Sequence, residues 1–226
     1  MKHSEINITM DHNNNTHLTT STVESQPNET GALHIQGHIK IFDPTTKEVF
    51  IDKRNAIHYE NFSIGLAQAM SNQGKGFISE MCFGNGGSRI DPTGIITYLT
   101  PNAVGLNASL YNQTYLKNID SSNVLNLDPT RNFMEVRHIT GTAYSDVLVS
   151  CLLDFGEPNG QQAFDNATGL NDQYVFDEIG LRGYNPDGSG TGILLTHVIF
   201  HPVQKSLNRL LQIDYTVRIQ SLTNGA

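Results

Sequence analysis

The chain has 226 residues, enough for one domain with additions or for two small domains. Its formal charge of −8 and pI near 5.5 argue against a dedicated nucleic-acid binder, which would carry a basic patch. No run approaches the roughly 18 consecutive apolar residues of a membrane-spanning helix. Hydrophobic residues make up 38% and charged residues only 16%, so Asn, Thr, Ser and Gln supply a polar, uncharged surface that suits contact with other subunits.

Residues 1–31 are poor in hydrophobic groups and crowded with Asn, Thr, Ser and His. Such a segment cannot bury enough surface to order itself, and it reads as a flexible arm. The scattered Ile6, Ile8, Met10 and Leu18 favour an arm that orders against a neighbouring subunit. MKHSEINITMDHNNN lacks the apolar core of a signal peptide. The Asn-x-Ser/Thr triplets are therefore expected to be unglycosylated, and Cys82 and Cys151 to be buried free thiols.

Regular structure is expected from Leu33. Leu33, Ile35, Gly37, Ile39 and Ile41 alternate with polar residues, Asp43-Pro44-Thr45-Thr46 makes a turn, and Glu48 to Asp52 returns as a hairpin partner. Helical spacing runs from Asn55 to Ser71, with Tyr59, Phe62, Leu66, Ala69 and Met70 on one face and Gly74 as the stop. Gly65 lies inside this helix and weakens it by about 1 kcal/mol relative to Ala. Phe77 to Phe83 forms a strand that runs into Gly84-Asn85-Gly86-Gly87.

Residues 84–132 read as a long insertion, mostly loop, with spacing that allows a short helix over 109–119. This segment carries Ile95, Ile96, Tyr98, Leu99, Val104, Leu106, Leu110, Tyr111, Tyr115 and Leu116, too many apolar groups for a solvated linker. Long loops in compact domains are generally functional or disordered. A contact with another subunit is the expected role, with Tyr98, Leu99, Leu106, Tyr111 and Tyr115 as contact candidates.

Phe133–Thr140 and Val147–Phe155 form another strand pair, followed by a Gly/Asn/Gln-rich loop over 157–172. Three strands close the chain: Tyr174–Arg182, Ile193–Phe200 and Leu211–Ile219, with breaks at 185–192 and 202–208. In the last, Leu211, Ile213, Tyr215, Val217 and Ile219 alternate with Gln212, Asp214, Thr216 and Arg218, the period of a strand with one buried face. Turn residues at both breaks predict an antiparallel meander. The fold expected is mainly β: an antiparallel β-sandwich over 32–226 with one α-helix, roughly eight strands, the 84–132 insertion and the extended N-terminal arm.

No catalytic constellation is apparent. Gly84-Asn85-Gly86-Gly87 lacks the following helix and Lys of a phosphate cradle and reads as a tight turn, on the conformational freedom of glycine. His34/His38 and His197/His201 have ligand spacing for a helix, but both pairs lie in strands, where four residues span about 13 Å. Asp177 and Glu178 are strand neighbours expected to face opposite sides. Asp154, Glu157 and Asp165 lack a calcium-loop spacing, and no serine sits in a Gly-x-Ser-x-Gly elbow. No enzyme activity, cofactor or metal is expected.

The order of elements resembles a recurrent class of tailed-bacteriophage virion proteins from the tail, neck or fibre-attachment apparatus. The resemblance covers about residues 39–219. It rests on Asn55 with its helix, Phe83-Gly84-Asn85-Gly86, Glu178-Ile179-Gly180-Leu181, Gly192, Leu194, Phe200, Pro202, Lys205, Leu211, Ile213, Tyr215, Val217 and Ile219. The insertion and the arm depart from the usual pattern. The resemblance implies a non-enzymatic virion component that assembles as a symmetric oligomer in the neck, tail or baseplate. Its partners would be copies of itself and other virion proteins, with no direct nucleic-acid or membrane binding. A capsid decoration or head-fibre protein is the first alternative. The second is a host-glycan-binding module that stacks sugars on Tyr98, Tyr111 and Tyr115.

Overall fold

The computed structural model describes residues 5–10, 16–21, 31–158 and 173–223, and the chain divides into two units. The smaller unit, Met1–Leu33 with Ser221–Ala226, contains an antiparallel hairpin of β1 (Glu5–Met10) and β2 (Thr16–Ser21), with Glu5 opposite Ser21. The rest of the expected arm, and most of the expected 157–172 loop, lie outside the described residues.

The larger unit, His34–Gln220, is dominated by a nine-stranded sheet. In chain order its elements are β3 (Gly31–Phe42), β4 (Val49–Ile57), α1 (Tyr59–Met70), β5 (Ile78–Gly84), β6 (Ser88–Ile90), β7 (Ile96–Tyr98), β8 (Gln113–Asn118), β9 (Phe133–His138), β10 (Tyr144–Leu153), β11 (Gln173–Gly183), β12 (Leu194–Ser206) and β13 (Leu211–Thr223). The spatial order is β8-β5-β11-β12-β4-β3-β13-β10-β9, with β6 and β7 forming a separate hairpin.

Strand β4 is where the sheet curls. Its residues from Val49 to Asn55 pair with β3, whereas Ala56 and Ile57 pair with His197 and Thr196 of β12. The two halves share one apolar core, in which Met81, Phe83, Phe176 and Leu181 of one half meet Ile39, Val149, Ile213 and Tyr215 of the other. This is the sandwich-like, mainly β architecture that the alternating patterns predict. In β13 Leu211, Ile213, Tyr215 and Val217 are buried, and the residues between them are half-exposed.

Three local expectations are corrected. The final three strands are not a simple meander: β11 and β12 form a hairpin, but β4 and β3 separate β12 from β13, which pairs with β10. Alternation specifies a buried face, and that demand is met equally well by a turn that carries the chain to the other half. Pro202 does not end β12. The register jumps from Phe176↔Val203 to Glu178↔Ile199, so the proline occupies a bulge, where no ladder N–H is required. The 109–119 segment is no helix: Gln113–Asn118 pairs with β5, Tyr115 opposite Phe83. Pairing along the exposed edge of β5 outweighs a weak local helical preference.

Helix α1 packs with a different stripe from the one expected. Asn61, Phe62 and Gly65 are buried, whereas Tyr59 and Met70 are exposed. Gly65 is the reason for the close approach: a Cβ there would lie 2.9 Å from the carbonyl oxygen of Gly76 and 3.1 Å from Leu195 Cδ2. The helix ends before Gly74. Asn72 takes the left-handed position (φ 54°), its N–H bonds Ala69 O, and Gln73 N–H bonds Gln68 O, the paired bonds of a Schellman cap.

Both cysteines are free and buried, and burial pushes both thiols up to about 12.

Candidate functional site: a buried carboxylate–histidine latch beneath the inserted loops

The face of β5, β11 and β12 that points away from the main core carries polar groups, and the inserted loops lie over it. Glu178 and His197 are wholly buried there. Glu178 Oε1 accepts from the backbone N–H of Gly86 (3.1 Å) and Asn112 (2.8 Å), and Oε2 accepts from Tyr111 N–H (2.9 Å). His197 Nε2 lies 2.9 Å from the same Oε2. The N–H of Asn102 donates to His197 Nδ1 at 2.8 Å, so Nδ1 is an acceptor and the ring proton sits on Nε2, directed at the carboxylate. Burial by itself would raise the Glu178 carboxyl, but the bonds from His197, Asn112, Tyr111 and Gly86 outweigh it and hold it below its ordinary value.

Asp177 serves the same glycine loop. It accepts from Gly87 N–H (2.9 Å), Ser88 N–H (2.7 Å) and Ser88 Oγ (2.5 Å). Burial pushes its carboxyl up, with the Glu178 charge acting in the same direction. The expectation that Asp177 and Glu178 serve opposite sides is therefore corrected: with the β-bulge between Phe176 and Glu178, both carboxylates reach consecutive amides of one loop. The glycines are required for contact rather than for turning. A Cβ on Gly84 would lie 2.4 Å from Asn112 O and 2.5 Å from Glu178 Oε1, and one on Gly86 would lie 2.7 Å from Asn112 N.

Further side chains pin the 99–112 loop. Buried His58 accepts from Asn61 N–H, which caps α1, and its Nε2 lies 3.0 Å from Gly105 O. Arg182 donates to Ser109 Oγ (2.6 Å), Gly192 O (2.7 Å) and Gln113 Oε1 (3.1 Å). Under this cover Leu110 packs with Cys82 and Leu194 in a second, smaller apolar cluster. Every polar atom of the Glu178–His197 pair is committed to a loop amide or to its partner. The pair holds the loops in place.

The five contact candidates separate. Tyr98 and Leu99 line a groove of about 520 Å³ together with Phe50–Lys53, Pro101 and Ile199–His201. It lies where β4 and β12 diverge, and Tyr98 Oη is 3.1 Å from His201 Nδ1. Leu106 is exposed. Tyr111 is exposed, donates to Thr100 O and sets its ring 5.6 Å from that of His197. Tyr115 is half-buried and packs against the main core with its ring 5.8 Å from Phe83, and burial pushes its phenol up. Of the three tyrosines proposed to stack sugars, Tyr98 and Tyr111 are exposed and Tyr115 is half-buried. Leu110, Leu116 and Ile119 also pack within this chain's own fold.

Sequence reasoning passed over Val124, Leu125 and Leu127. The loop that carries them is built from Asx turns: Asp120 Oδ1 accepts from Ser122 N–H, Asn123 Oδ1 from Leu125 N–H, and Asn126 Oδ1 from Asp128 N–H. Asn126 Nδ2 donates to Asn132 O. On this frame Val124 is 90% and Leu127 94% exposed. The run Val-Leu-Asn-Leu between two turn-forming acids was the signal available.

Among the described residues no group of three His, Cys, Asp or Glu side chains converges as metal ligands, and no helix is long and apolar enough to cross a membrane. Compared with protein-family models, curated proteins and solved structures, the chain matches none.

Proposed function

We propose that this chain is a non-enzymatic structural component of a tailed-phage virion, built into the neck, tail or baseplate as a symmetric oligomer, and that the 84–132 insertion makes a principal contact. One observation carries the contact. Among the described residues, nine of the eighteen exposed large hydrophobic side chains fall within 84–132. The buried Glu178, Asp177 and His197 hold the loops at 86–88, 102 and 111–112, and Asx turns hold the loop that carries Val124, Leu125 and Leu127. Apolar groups displayed on a rigid frame bind with little ordering cost, which favours a recurrent interface. The resemblance of residues 39–219 to virion proteins supplies the setting.

The test is occupancy in purified particles. The wild-type chain should be found there by antibody labelling at one axial level. A Leu106→Glu/Leu127→Glu variant, folded by its unfolding midpoint, should enter poorly. Absence of the wild-type chain from particles would remove the virion reading, and normal entry of the variant would remove the insertion as the contact.

A further inference from the structure

The two edges of the nine-stranded sheet differ. All of β8 is half-buried, whereas the last four residues of β9, Glu135 to His138, are exposed. An exposed edge offers unpaired backbone donors and acceptors to another strand. Val136 stands opposite Val147 of β10, which stands opposite Val217 of β13. This row runs from the core outward: Val217 is 0% exposed, Val147 half-buried and Val136 71% exposed. The apolar face of the sheet thus continues to its edge and stops uncovered.

We infer that β9 pairs with β9 of a second copy, antiparallel, across a two-fold axis at Val136. In that register each residue meets the one reflected through Val136, so Glu135 of each copy lies opposite Arg137 of the other. Within one chain Arg137 Nε already bonds Glu135 Oε1 at 2.8 Å, with both side chains exposed, and both are free to exchange to the opposing strand. The edge carries one charge of each sign, equally spaced about its centre, and is therefore complementary to itself under this symmetry alone. The valine row would close as Val217, Val147, Val136 and then the same three in reverse, burying Val136 from both sides. This contact lies outside the insertion and stands independently of the virion reading.

Charge exchange tests both partner and register. Wild-type chain in a sedimentation series should self-associate. Glu135→Arg alone and Arg137→Glu alone should each halve the sedimenting mass with unchanged unfolding midpoints. An equimolar mixture of the two should restore it, because an all-basic edge then meets an all-acidic one, and the double exchange E135R/R137E should self-associate. Val136→Cys should cross-link between copies on mild oxidation, since directly opposed Cβ atoms lie about 4.5–5.5 Å apart and the native cysteines are buried. A monomeric wild type at every concentration, single variants that keep wild-type mass, or an uncross-linked V136C would each overturn the pairing. Leu106→Glu/Leu127→Glu leaves β9 intact, so failure of the insertion contact is read separately.

Discussion

Glu178 and His197 meet at 2.9 Å with neither side chain exposed to solvent. The imidazole donates its one N–H to the carboxylate and accepts the Asn102 N–H on its other nitrogen. A buried charge is tolerable only when its lone pairs are filled, and here three loop amides and one ring N–H fill them. The pair converts a long inserted loop from a floppy connection into a fixed surface.

Glu178→Gln should therefore loosen the loops as well as the fold. The amide would turn an NH₂ toward backbone donors in place of an acceptor oxygen. The expected cost is on the order of 3 kcal/mol, the scale for removing one partner of a buried pair. Denaturant unfolding measures it, with hydrogen exchange at Tyr111 and Asn112 as the local readout. Unchanged exchange there would show that the loops hold without the carboxylate.

The same residue sets an acid limb. Its folded-state value lies below the ordinary 4.5, so its contribution is fully present above that ordinary value and is lost as pH falls through the folded one. Asp177, whose carboxyl is raised, works in the opposite direction and blunts the total. The stability gap between wild type and Glu178→Gln should be constant at neutral pH and shrink in acid below the ordinary value. A gap independent of pH in that range would deny the charge its role.

Lys205 is wholly buried, and its ammonium donates to the carbonyls of Asp154 (3.0 Å), Glu157 (2.8 Å) and Ser206 (2.8 Å). Lys205→Met should leave these acceptors unfilled and cost about 2–4 kcal/mol. Burial lowers the lysine to about 8. Between that pH and about 10.4 the unfolded chain retains a proton that the folded one has released, so this group adds stability as pH rises through the window. Thermal unfolding from pH 8 to 10 should show a more positive slope in wild type than in the methionine variant.

Ile213 lies near the start of β13 with no exposure, opposite Cys151. Ile213→Ala should cost about 2–5 kcal/mol through lost burial and a residual cavity. Substitution of the half-exposed neighbour Gln212 by Ala should cost less. Equal midpoint shifts for the two would contradict the observed facing of the strand.

Period-2 alternation located β3 and β13 and the face each buries, because a strand's side chains alternate whatever it pairs with. Helical spacing marked α1, and the burial tendency of free cysteine marked the two thiols. Several of the residues that suggested a virion resemblance proved legible only as a pattern; their physical work emerged with the fold. Glu178 holds the loops, Pro202 sits in a bulge and Lys205 caps three carbonyls.

What the sequence by itself determined is which faces are apolar and where the chain turns, since both follow from short-range chemistry. Tertiary structure alone decided which strands are neighbours. It sent β13 to the far half of the sheet, recruited Tyr115 to the core and left Val136 uncovered at an edge. It also brought Gly86, Tyr111 and Asn112 onto one carboxylate of β11. Those outcomes depend on pairing between distant segments, and no local signal carries the register of a partner strand not yet met.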